Sequence, residues 1–224
     1  ARARTLGPAG LLRELADAGL RGRGGAGYRT ELKWRQCRES VARPGAAAVI
    51  CNADEGEPGT FKDRWLLEHE AERLIEGMTL CAYALGGAEG WIYLRGEYRY
   101  LREPLQRLLA GRRAAGLLGA SARERLGVVF DIHVCPGAGA YICGEESALI
   151  ESLEGKRGVP RNRPPYPVSR GYLGLPTVVN NVETFVAAAS IGLHGGAWYA
   201  AHGTGQSCGT KLLSVSGDCA RPGI

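Results

Sequence analysis

No run of roughly 18 apolar residues occurs in this 224-residue chain, so no helical membrane span is expected. No charged-then-apolar segment opens it, so no secretory leader is expected either. Lysine is scarce: Lys33, Lys62, Lys156 and Lys211 are the only lysines among 28 basic residues. The net charge of +5 is spread out, with acids alternating among bases as in Arg123-Glu124-Arg125. A nucleic-acid surface needs clustered cations with interleaved aromatics, so that class of function is set aside. The seven cysteines form no CxxC pair, and His69, His133, His194 and His202 share no metal-ligand spacing, so no metal site is expected. An odd cysteine count without a leader argues for a reducing, cytoplasmic setting. Cys51, Cys81 and Cys143 sit in apolar runs and read as small buried hydrophobes. No internal repeat is present, and the length suits one large domain, or a core with a small appendage.

What is there alternates between helix and strand. Leu11, Leu12, Leu15 and Ala16 recur at helical spacing between Pro8 and Leu20, and Gly19 stops the run. A glycine loop, Gly22-Arg-Gly-Gly-Ala-Gly27, precedes a helix expected over 30–40. Residues 46–51 read as a buried strand leading into the acidic turn Asn52-Ala-Asp-Glu-Gly-Glu57. A long helix is expected over 62–85, a strand over 90–94, a helix over 99–113 and a strand over 128–134. That third strand ends at Gly137-Ala-Gly-Ala-Tyr141-Ile-Cys-Gly144-Glu145-Glu146, with a helix over 145–153 behind it. Five prolines across 156–179 predict an extended surface loop, which at that length is functional or disordered. A helix over 181–193, with Val182, Phe185, Val186 and Ala189 on one face, and a strand over 211–215 complete the reading. This order gives an α/β fold with a largely parallel sheet, whose ligands gather at the carboxyl ends of the strands.

Several segments carry more than their local structure requires. Gly22-x-Gly24-x-x-Gly27 satisfies a dinucleotide pattern, but a helix and not a strand precedes it, which argues against an ordinary Rossmann site. It reads either as a flexible turn between helices or as an amide cradle for a phosphate or flat ring, with Lys33 adding a point charge. The turn at 52–57 lacks the further acids and closing glutamate of a calcium loop, and as a plain turn it would cap the helix near Lys62. Glu145 and Glu146 repel one another unless a helix N-terminus offsets them, an effect of about 0.3–1 kcal/mol. Asn180, followed three residues later by Glu183, reads as a capping box whose free N–H groups also suit a phosphate.

Four of these motifs, in this order, resemble the flavoprotein subunit shared by respiratory complex I, NAD-reducing hydrogenases and NAD-dependent formate dehydrogenases. They are Gly19-Leu-Arg-Gly-Arg-Gly-Gly-Ala-Gly-Tyr28 with Leu32-Lys33-Trp34, Asn52 through Arg64, Gly137 through Glu146, and Val179-Asn-Asn-Val-Glu-Thr184. The resemblance implies a Rossmann-like three-layer α/β/α sandwich, the FMN-binding core of the complex I flavoprotein type. It implies that FMN is held by Gly22, Arg23, Gly24, Gly25, Ala26, Gly27, Lys33, Asn52, Asp54, Glu55, Tyr141, Gly144, Glu145, Asn180, Asn181 and Thr184. An isoalloxazine edge would suit the Asn52 amide and the Asp54 carboxylate. NADH would be held by Tyr28, Glu57, Glu146, Arg163 and Tyr166, the two tyrosines flanking the adenine. Tyr141 reads equally well as an ordinary core aromatic.

The activity so implied is that of an NADH dehydrogenase (diaphorase) core. It would transfer hydride between NAD(H) and FMN and pass electrons to iron–sulfur centres of partner subunits in a multisubunit oxidoreductase. No residue is expected to act as a general acid or base; Glu57 and Glu146 position NADH. Two segments, Leu94-Arg-Gly-Glu-Tyr98 and Leu212 through Cys219, look more like the hydrogenase and formate dehydrogenase subunits than like complex I. Gln36 replaces a third aromatic near the adenine found in some relatives. The resemblance further implies an FMN- and NADH-binding domain over 1–216, with 217–224 opening a ubiquitin-like domain and a [4Fe–4S] cluster in a C-terminal part beyond it. The setting implied is cytoplasmic, soluble or peripheral to a membrane complex, without direct membrane insertion. The alternative is a flavin-free structural or assembly subunit that keeps the fold. A third reading, use of NADPH, would draw on Arg163 or Arg161 near the adenine ribose.

Overall fold

A computed structural model describes residues 2–224. The helices are α1 (Arg2–Asp17), α2 (Thr30–Ser40), α3 (Lys62–His69), α4 (Ala71–Leu85), α5 (Arg102–Ala114), α6 (Ala122–Leu126), α7 (Glu146–Leu153), α8 (Pro167–Arg170), α9 (Val182–His194) and α10 (Gly196–Ala200). Between them run the strands β1 (Ala48–Ala53), β2 (Ala88–Leu94), β3 (Phe130–Pro136) and β4 (Thr177–Asn181). The strands form one parallel sheet in the order β3-β2-β1-β4.

Period-two alternation divides the sheet between two cores. Val49, Cys51 and Ala53 of β1, Ile92 and Leu94 of β2, Phe130 and Ile132 of β3 and Val178 of β4 face a large cluster. Leucines of α1, Leu74, Ile75 and Met78 of α4, Leu105 and Leu109 of α5, and Phe185, Ala188 and Ile191 of α9 complete that cluster. The opposite-facing Ile50, Tyr93 and Val179 meet Leu149 and Ile150 of α7 in a smaller one. The sandwich is thus three-layered but lopsided, with α7 the principal helix of its thin layer. The chain runs from β1 to β2 to β3 in one direction, then jumps back past β1 to β4. Right-handed crossovers require the helix of that reversed step to lie on the other face, where α7 is found.

The structure revises several sequence expectations. β4 lies within the segment read as loop, which also holds α8 and a turn at Tyr172–Gly174. β4 is only five residues long and flanked on both faces, so it shows no alternation to read. Asn181, not Asn180, caps α9: its Oδ1 accepts from the Glu183 N–H at 3.0 Å. Asn180 still belongs to β4, and its Oδ1 accepts from the indole of buried Trp34 at 2.9 Å. On α9 the buried face includes Ala188 and Ile191 in place of Ala189. The helix expected over 62–85 breaks at Glu70 (φ −128°), where no glycine or proline marks the break. Glu145 caps α7 from outside. No strand forms over 211–215: Leu212 N–H is taken by Glu183 Oε1 at 3.0 Å, and Val215 pairs only with Gly223.

α4 and α9 approach so closely that a Cβ on Gly77 would lie 1.9 Å from the Phe185 carbonyl oxygen. Glycine at this position permits the contact, which fixes where the N-terminus of α9 points. No helix among the described residues is long and apolar enough to cross a membrane.

Candidate functional site

A change in the direction of strand order leaves a crevice at the carboxyl ends of the two strands flanking it. Here those strands are β1 and β4, with Cys51 level with Asn180 and Asn52 with Asn181. A cleft of about 940 Å³ opens there, within the range of small-molecule sites.

One wall is the glycine loop. Gly22 N–H bonds to the Tyr28 carbonyl at 2.8 Å and Thr30 N–H to the Leu20 carbonyl at 3.0 Å, closing the neck of the loop. The Arg23 N–H donates to Thr184 Oγ1 at 2.9 Å, seating the loop on the first turn of α9. A Cβ on Gly24 would come within 3.2 Å of Asn181 Cβ. Gly25 and Gly27 have φ of +114° and +65°, with open space where a side chain would be. The N–H groups of Gly24, Gly25, Ala26 and Gly27 donate to no acceptor among the described residues. These amides and the adjacent N-terminus of α9 form a positive, backbone-lined cradle suited to a phosphate.

The second wall is the signature turn and α7. Glu145 Oε2 accepts from the N–H groups of Ser147 and Ala148, both at 3.0 Å, and so caps α7. Its other oxygen lies 3.6 Å from Arg163. Glu146 projects between two cations, with Oε2 at 3.0 Å from Lys33 Nζ and Oε1 at 3.5 Å from Arg163. Asn52 ties this wall to β1, donating to the Gly144 carbonyl at 2.8 Å and accepting from Asp54 N–H at 3.1 Å. Tyr28 and Tyr166, both more than 40% exposed, present aromatic surface from the loop and from the proline-rich strap.

Of the residues singled out from sequence, Gly22, Gly24, Ala26, Gly27, Tyr28, Lys33, Asn52 and Gly144 line this one cleft. So do Glu145, Glu146, Arg163, Tyr166, Asn180, Asn181 and Thr184. Gly25, Arg23, Asp54, Glu55, Glu57 and Tyr141 fall outside its lining. The Arg23 side chain turns away from the cleft to the Tyr199 hydroxyl and the Thr210 carbonyl, both at 3.1 Å. Glu55 is buried beneath the site, where it accepts from the Asp63 and Arg64 N–H groups and the Tyr98 hydroxyl, capping α3. Glu57 accepts from Tyr141, whose ring lies over Gly56 at the rim. Asp54 is pushed up to about 6 by burial, with Arg95 opposing and Glu97 adding to the shift. Arg161 does not face the cleft; it pairs with Glu151 and Glu154.

Sequence reasoning missed two groups. Ser40 lines the cleft with Lys33 and with Gln36, which the resemblance had already placed near the adenine, at the i, i+3, i+7 spacing of one helix face, and Glu39 and Ser169 join it. That spacing was the available signal. Beneath the cleft, Lys62 Nζ bonds Asp63 at 2.7 Å and Glu183 at 2.8 Å, and Asn181 donates to Asp63. Burial would lower the Lys62 pKa, but Asp63 and Glu183 more than offset it and the value is raised. Burial lifts Asp63 to about 6 against the pull of Lys62. This network fixes the cap of α9, and only the adjacency of Lys62 and Asp63 hints at it in sequence.

Residues 15–190 match the Complex1_51K family, the Nuo51 FMN-binding domain. The NAD-reducing hydrogenase HoxS subunit alpha of Cupriavidus necator is 57% identical over 219 residues, 98% of this chain and 36% of that protein. The mitochondrial NADH dehydrogenase (ubiquinone) flavoprotein 1 of Dictyostelium discoideum is 46% identical over 212 residues, 95% of this chain and 44% of that protein. A crystal structure of an NAD+-reducing [NiFe]-hydrogenase in the H2-reduced state superposes with a TM-score of 0.88 at 55% identity, covering 99% of this chain and 37% of that one. The chain thus spans between about a third and a half of these relatives' length.

Proposed function

The chain belongs to the Nuo51 FMN-binding domain family, and from that premise we propose that it is the FMN- and NADH-binding core of an NADH-oxidising flavoprotein subunit. The observation that carries this reading is the convergence of the glycine loop, the α9 cap, the Gly144–Glu146 turn and the proline-rich strap on one cleft. The free loop amides and the α9 N-terminus suit the FMN phosphate. Asn52 and Gly144 would hold the ring, and Lys33 would add positive charge. Tyr28 and Tyr166 would flank the adenine with Arg163 beside them on the adenylate side, while Glu146 and, at the rim, Glu57 would position the nicotinamide end.

What FMN supplies when bound is a ring that takes hydride from a nicotinamide and releases the electrons singly. The chain's own part is orientation: hydride transfer needs no protein nucleophile or proton donor, so binding energy goes into alignment. Glu146 enters that task already held by two cations, which limits the rotamers it loses when a nucleotide binds. The binding unit would span 1–216, and iron–sulfur centres carried elsewhere in a multisubunit complex would take the electrons. The NAD-reducing hydrogenase type is favoured by 57% identity against 46% for the ubiquinone-linked relative. All seven cysteines are free, which suits the cytoplasmic setting.

Reconstitution with FMN tests the reading. The expected result is a yellow protein that keeps its flavin through gel filtration and reduces ferricyanide with NADH. A colourless protein would return the flavin-free alternative.

A further inference from the structure

We propose that Arg161 is a positioning residue, which clamps the strap over 161–171 so that Arg163 and Tyr166 stand over the cleft and the adenylate half of the nucleotide binds tightly. The inference rests on the function proposed above. Its basis is one guanidinium with three attachments: Nε to Glu151, Nη2 to Glu154 Oε1 at 2.8 Å, and Nη1 to the Gly171 carbonyl at 3.0 Å. The Arg161 N–H also donates to Ser147 Oγ at 2.9 Å, and Ser147 in turn bonds Glu145. Glu154 Oε1 accepts from Leu173 N–H at 2.8 Å as well. A single side chain therefore joins the start of the strap, its end, and the helix that carries Glu145 and Glu146.

Apart from the long contacts of Arg163 to Glu145 at 3.6 Å and Glu146 at 3.5 Å, little else holds the near half of the strap. Residues 163–166 are all exposed, and Pro167 is the first buried one. Arg163 and Tyr166 line the cleft on one side, while Asn162 and Pro165 line a second cavity of about 460 Å³ on the other. A segment standing between two open spaces has no core to set its height. Its position then follows from its polar attachments, and multidentate, charge-assisted bonds are the ones with enough geometric definition to do so. Arg161 touches neither FMN nor nucleotide in this reading; it acts through Arg163 and Tyr166.

The test compares wild type with Arg161→Gln, Arg161→Lys and Glu154→Gln in the full chain. Hydrogen exchange of the flavin-free protein reads the clamp directly. The amides of Ser169, Arg170 and Gly171 should exchange about tenfold faster in Arg161→Gln, with those of β1 unchanged. In the FMN-loaded protein the KM for NADH should rise about tenfold in Arg161→Gln and Glu154→Gln, at constant flavin content and kcat. Arg161→Lys, which keeps the charge and loses the fork, should fall between. Reduced nicotinamide mononucleotide, lacking the adenylate, should show no change in KM. Unaltered strap exchange overturns the inference, as does an equal KM rise for both donors. Wild type that reduces flavin with NADH while Arg161→Gln keeps its KM overturns the inference alone. Wild type that holds flavin but is not reduced overturns the proposed function, and the inference with it.

Discussion

Lys33 and Glu146 meet across the cleft with Nζ and Oε2 3.0 Å apart, although 113 residues separate them in the chain. Lys33 also donates to the Val179 carbonyl at 3.0 Å, so its ammonium bridges α2, α7 and β4 at the sheet's reversal point. With Arg163 on the other oxygen, the Glu146 carboxylate is oriented before any ligand arrives.

Replacing that carboxylate should separate nucleotide binding from flavin binding. Glu146→Gln is expected to raise the KM for NADH about tenfold or more, the worth of one hydrogen bond to a charged group, and to leave FMN content unchanged. Steady-state kinetics beside flavin absorbance check this.

The amide cradle predicts the opposite split. Gly25 holds φ +114°, which a side chain makes costly by about 1–3 kcal/mol, yet nothing lies within 4 Å of the position. Gly25→Ala should therefore let the exposed loop rearrange, weakening FMN binding about tenfold while the melting temperature of the flavin-free protein barely moves. Flavin fluorescence titration and a thermal melt distinguish the two effects.

Gly77→Ala acts from the core. The added methyl would fall 1.9 Å from the Phe185 carbonyl oxygen, and backbone is what would have to move. A loss of about 3 kcal/mol is expected, or roughly 6–12 °C in melting temperature. FMN affinity should fall with it, because the displaced helix is α9.

Asp54 gives a pH dependence of known sign. Its folded pKa, about 6, lies above the ordinary 3.8, because burial disfavours the charged form. The folded state therefore binds the proton more tightly, and this stabilisation, complete below the unfolded pKa, is lost as pH rises through about 6. Asp54→Asn should gain melting temperature relative to wild type between pH 5 and pH 7.5, and no further above that. A constant offset across that window would contradict the assignment.

How much of the fold was legible in the sequence depends on where each segment's partners lie. The helix at 30–40 was legible because its boundaries are set locally, by glycines before it and a helical stripe within it. β4 was not, because a five-residue strand buried on both faces has no period and sits among prolines. The apolar run at 211–215 looked like a strand, but its backbone answers to Glu183 and Gly223, not to the sheet. In the site, Glu55 stood beside Asp54 as an equal candidate; only the fold shows that it points down, onto the first turn of α3. Asn180 and Asn181 likewise take different tasks one residue apart, because the strand ends between them and the helix.

The measurement that reaches the central claim most directly is an anaerobic titration of the FMN-reconstituted protein with NADH, following the oxidised-flavin absorbance. The account predicts bleaching that is complete at one NADH per flavin. Flavin that stays bound and oxidised through excess NADH would contradict it.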